Sequence, residues 1–324
     1  MTRLGRALGV AAPAALAALA ALAVLVVPGA PLLAVSSAPA AFPPDAPLET
    51  VAGTIPVPHL AARDTSDAAG MAFGPPDSLT PRPPARPPLP DVLPFGSGEH
   101  LRFSIDYGII NAGGATMEVL EPRRVMGKMC FDIRTEAKSN GFFSRIYKVW
   151  DRAQTFVDVE TVLPWRFEKH LREGSYRHDL VIKFDPERGF ARYENGDEVV
   201  VSPWTQDELS AFYYLRTLPL EIGRDVFIDN HTNRKNYPLK VIVHRRETIE
   251  VNAGTFDCWV IEPVIREGGI FTAKGTLTIW LTADEIRMPV QMRTKIVVGA
   301  ITASLQEYKR GERVSRLAAG EGWH

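Results

Sequence analysis

The sequence predicts a mainly β fold: one large curled antiparallel sheet, open and barrel-like or folded as a sandwich, with one buried helix at about residues 205–218. Three observations carry this. Apolar and polar residues alternate with period two through most of the block from Phe95 to Tyr308. Short turns such as Asp185-Pro186-Glu187-Arg188-Gly189 and Glu194-Asn195-Gly196-Asp197 join successive alternating runs, as in antiparallel meanders. Only the stretch after Trp204 carries a helix start signal followed by a wide apolar arc.

In chain order, residues 1–40 come first. Arg3 and Arg6 precede an uncharged run from Ala7 to Val27, and small residues ending in Ala38-Pro39-Ala40 follow. This is the pattern of an export signal, and the length of the run also fits an uncleaved N-terminal anchor. Either way the chain is destined for the periplasm or cell envelope, where the surroundings are oxidising and free of nucleotide cofactors. Residues 41–94 are crowded with proline and alanine, most densely over Pro81–Pro88, and read as a disordered tether that cannot bury enough apolar surface to fold. Residues 95–309 form a single β-rich domain, and residues 310–324 return to Gly, Ala and charge as a frayed tail.

Within the domain, Leu101, Phe103, Ile105 and Tyr107 alternate with polar residues, and Asn111-Ala112-Gly113-Gly114 reads as a hairpin turn into Ala115–Leu120. The same period recurs over 129–137, 149–157, 165–171, 175–184, 239–251, 256–265, 276–282, 290–298 and 301–308. So many strands in one sheet must twist and curl. Thr205-Gln206-Asp207-Glu208 has the spacing of a capping box ahead of Leu209–Leu218. Leu209, Phe212 and Tyr213 make one stripe of that helix and Ala211, Tyr214, Leu215 and Leu218 its neighbour, so the helix is expected to line or plug the concave side.

The charge balance excludes one class of role. With 37 Lys plus Arg against 38 Asp plus Glu, the formal net charge is -1, and no global field recruits nucleic acid. The two cysteines, Cys130 and Cys258, form an even pair in an exported chain and so raise a disulfide. The phase of their strands opposes it, placing Cys130 out of the core beside Asp132 and Arg134, and Cys258 into it with Phe256 and Val260.

Local catalytic signatures are absent. None of the seven histidines is spaced like a common zinc motif, although His170 and His178 lie on adjacent predicted strands with Glu168 and Asp179 nearby. There is no nucleophile elbow and no phosphate-cradling glycine spacing, so no cofactor is implied. An enzyme here would assemble its site from distant residues such as His170, His178, Asp179, Asp151 or Asp257. Aromatic residues are the other resource: Leu209, Phe212, Tyr213, Trp259 and Trp280 are the candidate lining of a pocket for an apolar or lipid-like ligand, with plain core as the alternative role.

Gly98-Glu99-His100-Leu101-Arg102-Phe103, Asn111-Ala112-Gly113, Asp207–Arg216, Ala253-Gly254-Thr255-Phe256-Asp257-Cys258 and Ile279-Trp280-Leu281-Thr282 together resemble the exported bacterial proteins grouped as domain of unknown function 3108, over about residues 95–308. The resemblance implies an exported, mainly β domain and transfers no catalytic residue. By looser analogy of fold, it is similar to the periplasmic lipoprotein carriers and receptors that hold acyl chains in a concave cavity. The expectation is a non-catalytic envelope protein that binds an apolar small molecule, a lipid or an envelope partner, touching membrane only through an uncleaved N-terminus. A structural role in envelope assembly and a hydrolase with a dispersed site are the alternatives.

Overall fold

A computed structural model describes residues 88–264, 277–295, 299–313 and 315 of the chain. Residues 1–87, where the sequence leads one to expect the export signal and the tether, and the end of the tail lie outside the described residues.

Fourteen strands form one sheet. They are β1 (Glu99–Tyr107), β2 (Ile110–Val125), β3 (Lys128–Ser139), β4 (Trp150–Asp158), β5 (Pro164–Glu173), β6 (Tyr176–Asp185), β7 (Phe190–Tyr193) and β8 (Glu198–Val200), then helix α1 (Glu208–Thr217). After it come β9 (Val226–Thr232), β10 (Lys235–Val251), β11 (Gly254–Val264), β12 (Leu277–Thr282), β13 (Pro289–Lys295) and β14 (Ala300–Lys309). The order is β8-β7-β6-β5-β4-β3-β2-β1-β14-β13-β12-β11-β10-β9, and every neighbouring pair is antiparallel. The strand path therefore begins mid-sheet at β1, meanders to one edge, crosses to the other through α1, and meanders back to lie beside β1.

The curl of the sheet brings the two edges together without a backbone ladder between them. Asn236 of β10 donates to the Val200 carbonyl of β8 at 2.6 Å, and the Tyr193 hydroxyl of β7 meets Nε2 of His231 on β9 at 2.7 Å. Alternating residues from nearly every strand fill the concave face, among them Phe103, Ile133, Phe167, Ile261 and Leu305. The convex face carries two small clusters, Cys130 with Phe156 and Trp165, and Cys258 with Val260, Trp280 and Val290.

Several sequence expectations are corrected here. Asn111–Gly114 is not the hairpin turn: the chain turns at Gly108-Ile109, and Ala112 is the extra residue of a bulge inside β2, where Ile105 pairs Gly113 and Asp106 pairs Asn111. The glycine serves close approach, since a Cβ on Gly113 would sit 2.1 Å from the Lys138 carbonyl oxygen of β3. Strands β7, β8 and β9 add to the predicted set. The domain also extends past both expected boundaries, because Leu93 is buried, Val92 bridges Ser315, and Arg313 donates to the Leu93 carbonyl at 3.0 Å.

The cysteines are free and buried. Both thiols lie on the convex face, on β3 and β11, with five strands between them in the sheet, so the expected inward phase of Cys258 is wrong and no bridge forms.

Candidate functional site

The helix begins two residues later than the sequence signal suggests. Gln206 is held extended along β9, donating to the Asp229 carbonyl at 2.8 Å and accepting from the His231 amide at 2.9 Å, so Thr205 cannot cap. Asp207 caps instead, accepting from the amides of Leu209 and Ser210 at 2.8 Å each, while the Ser210 hydroxyl accepts from the Asp207 amide. Burial pushes the Asp207 carboxyl up to about 6, against the pull of those amides and of the Thr155 hydroxyl, which donates to it at 2.6 Å.

All ten residues of α1 are buried. Near its start, Lys169 of β5 places Nζ 3.0 Å from both oxygens of Glu208, which also accepts from the Thr232 hydroxyl. Near its end, Arg216 clamps Glu99 and donates to the carbonyls of Pro94 and Ile286. Both ion pairs are sealed from solvent. The helix is pinned to the strands at each end, and with Gln206 donating to the Val162 carbonyl it closes the end of the curl that holds the β4–β5 and β12–β13 turns.

The predicted ligand residues divide. Leu209, Phe212 and Tyr213 belong to the concave core, with the Tyr213 ring edge-on to Phe95 at 4.9 Å. Trp259 borders that core, its ring covered by the Arg246 guanidinium at 5.1 Å. Trp280 sits on the convex face, donating its indole N–H to Glu247 at 2.6 Å, because it pairs Val260 rather than the Ile261 position that faces inward.

The dispersed catalytic candidates also separate. His170 and Asp179 are paired at 2.6 Å on the convex face, with Arg172 also donating to Asp179. His178, opposite Leu171, faces the other way and stacks on Tyr176. Burial, followed by the nearby Lys169 charge, lowers its pKa. Asp257 is exposed and paired with Arg246. No group of three His, Cys, Asp or Glu side chains suited to a metal occurs among the described residues.

Asp151 has a partner that the sequence did not reveal, Glu173 of β5. Burial pushes Asp151 up to about 6 and Glu173 up to about 8, the latter raised further by the Asp151 charge. The Arg172 amide donates to Asp151 Oδ1 at 2.8 Å, and Asp151 Oδ2 and Glu173 Oε1 each lack a donor. One proton shared between the two carboxyls would satisfy both oxygens.

The end of the curl opposite the helix is its mouth, and here the turns after β1, β3, β5 and β13 come together. Gly108 donates to the Ala300 carbonyl at 3.4 Å, Asn140 to that of Ala112 at 2.9 Å and Gly174 to that of Lys148 at 2.8 Å. Asn140 Oδ1 accepts from the amides of Phe142 and Phe143, setting the 3₁₀ turn Phe143–Arg145. Phe143 is buried as an anchor, which turns its neighbours outward: Ile109 is fully exposed, and Ile110, Phe142 and Ile146 stand 40 %, 65 % and 61 % exposed. Arg145, Lys148, Arg177 and Lys295 are exposed beside them. Residues 108–111, 140–149 and 174–177 contain no carboxylate. The helix end exposes both signs, Glu160, Glu187, Asp284 and Glu285 beside Arg124 and Arg188.

No curated protein matches the chain. Among solved structures it is similar to a β-barrel-like protein of domain of unknown function DUF1849 from Brucella abortus, at 9 % identity and TM-score 0.47, over 67 % of this chain and 100 % of that one. A DUF1089 family protein from Pseudomonas aeruginosa matches at 11 % identity and TM-score 0.33, over 55 % and 88 %. A candidate exported protein with a YmcC-like fold from Bacteroides fragilis matches at 12 % identity and TM-score 0.33, over 68 % and 99 %. With the match spanning residues 102–306, from within β1 to within β14, the chain belongs to the family described as protein of unknown function (DUF3108).

Proposed function

We propose that this chain is an exported, non-catalytic recognition module of the bacterial cell envelope that meets an apolar or lipid-like partner at the mouth of its curled sheet. The observation that carries the reading is the joint exposure of Ile109, Ile110, Phe142 and Ile146 on turns tied to one another by backbone hydrogen bonds. Large apolar side chains gathered on a surface mark interaction sites, whereas scattered ones do not. The N-terminal sequence supports export. The locked helix argues against a gate there, since moving it would break two buried ion pairs. The split of His170 and Asp179 from His178 and Asp151, with Asp257 exposed on distant β11, argues against a hydrolase assembled from those groups.

The test is a photo-crosslinking residue placed at Ile109, Phe142 or Ile146, and at Glu187 on the helix end, in cells of the host. Adducts from the mouth positions and none from Glu187 are expected. Adducts from Glu187 alone, or from no position, would sink the reading.

A further inference from the structure

The chemistry of the mouth points to one kind of partner. Resting on the reading above, we infer that the mouth docks on the surface of an anionic phospholipid bilayer, the tips of its turns entering the headgroup layer and its cations meeting phosphate groups. Two independent features converge on this occupant. The tips at Ile109 and at Phe142 and Ile146 carry apolar side chains that stand out from the fold rather than line a groove. Insertion into the headgroup and acyl boundary removes such side chains from water without requiring a complementary protein pocket.

The second feature is charge. Arg145, Lys148, Arg177 and Lys295 are exposed around these tips, and no salt bridge holds any of them among the described residues. Acidic groups on the flanking strands are engaged: Asp106 accepts from Ser104 and Asn111, Glu136 pairs with Lys138, and the Asp151–Glu173 pair is buried, while the turn after β7, at the same end, carries Glu194 and an Asp197 paired with Arg234. At the helix end Glu187, Asp284 and Glu285 are paired with Lys128, Arg310 and Arg313, so it is the cations of the mouth that an anionic surface attracts. A chain of net charge -1 thus carries a local cationic patch although it has almost no net field.

The experiment uses the full chain with an environment-sensitive fluorophore on Ile109→Cys or Phe142→Cys, and on Glu187→Cys as the far-end control. The native thiols do not compete, because both are buried. Vesicles of phosphatidylglycerol mixed with phosphatidylcholine are compared with pure phosphatidylcholine vesicles of the same diameter. A blue shift at both mouth positions with the anionic vesicles, and none at Glu187→Cys, is expected. Arg145→Ala and Lys148→Ala added to the labelled chain should each weaken partitioning roughly five-fold, and raised salt should do the same to the parent.

A silent mouth label, or an equal shift at Glu187→Cys, would overturn the inference even if the N-terminal run holds the chain on the vesicles. Mouth crosslinks in cells together with a silent vesicle assay would retain the recognition role and remove the bilayer as its partner. Equal shifts on neutral and anionic vesicles would remove the charge argument and with it the assignment to anionic lipid.

Discussion

Arg216 holds Glu99 through two parallel bonds of 2.7 Å, Nη1 to Oε1 and Nη2 to Oε2, with both side chains sealed inside the protein. The pair joins the last turn of the helix to the first residue of the first strand, 117 positions earlier, and the rings of Phe95 and Tyr213 lie 5.5 and 5.1 Å from the guanidinium. Removing one partner strands a buried charge, so Glu99→Gln or Arg216→Met should each cost about 3–5 kcal/mol. The double variant should recover much of that loss, since neither charge then remains. Urea unfolding of the three variants checks this, and additive losses would show that the pair is not coupled.

A second prediction concerns Gly113. Its replacement by alanine drives a methyl group into the Lys138 carbonyl of β3 and forces the β2 bulge to shift. A loss of about 1–3 kcal/mol or more is expected, of the size seen when close packing is overfilled. Gly141→Ala is the control, because open space surrounds that position and nothing must move. Thermal melts of the two variants should differ accordingly.

That glycine also shows how far the sequence could be read. Period-two alternation located most strands and the curl, because one face of each must be apolar, and the apolar arc located the helix. Asn111-Ala112-Gly113-Gly114 has turn composition but bulge geometry, and only the approach of Lys138 on β3 distinguishes them. Strand β9 escaped because Asn230, His231 and Thr232 are consecutive, polar and all buried, which erases alternation. The mouth was illegible for a related reason: Ile109, Phe142 and Ile146 belong to turns that only the sheet order brings together. Trp280 was misplaced relative to the helix because an apolar cluster on the convex face looks the same in sequence as a core on the concave one.

The carboxyl pair beneath the mouth sets a pH dependence. Glu173 binds its proton more tightly in the folded chain, up to about 8, than in the unfolded one, and Asp151 does so up to about 6. Raised folded values mean that the contribution is complete below the ordinary carboxylate range and is lost as pH rises through the folded values. Stability should therefore fall between about pH 5 and pH 8, and Glu173→Gln should flatten that fall by staying neutral. Urea midpoints of the parent and variant at pH 5 and pH 8.5 decide it, and equal slopes would refute the shared proton.

The thiols give a chemical prediction. Burial pushes Cys130 and Cys258 each up to about 12, with nearby carboxylates adding to the effect. Nucleophilic thiolate is then scarce at neutral pH, and neither sulfur is exposed. A thiol-reactive chromophore should find no group in the native protein and two after denaturation, even in material recovered from an oxidising compartment.

The seam between the sheet edges supplies the last prediction. The Tyr193 hydroxyl accepts from the Arg234 amide at 3.1 Å and donates to Nε2 of His231, whose Nδ1 is then left to donate to Asn236 Oδ1 at 2.5 Å. Asn236 passes the connection to the Val200 carbonyl on the opposite edge, so a relay of side chains replaces the ladder that would close a barrel. The relay needs neutral imidazole, and burial accordingly lowers the His231 pKa. A lowered folded value means that this contribution is intact above the ordinary histidine range and is lost as pH falls below about 6.5, the reverse of the Glu173 effect. Tyr193→Phe leaves the Arg234 amide and Nε2 of His231 without partners at a cost of about 1–3 kcal/mol. Because the edges meet through such side chains among the described residues, the loss should open the seam before the whole sheet. Hydrogen exchange should accelerate first in β8 and β9, in the variant at neutral pH and in the parent on acidification, while β1 and β14 at the centre stay protected. Uniform acceleration across all strands would mean that the seam has no stability of its own.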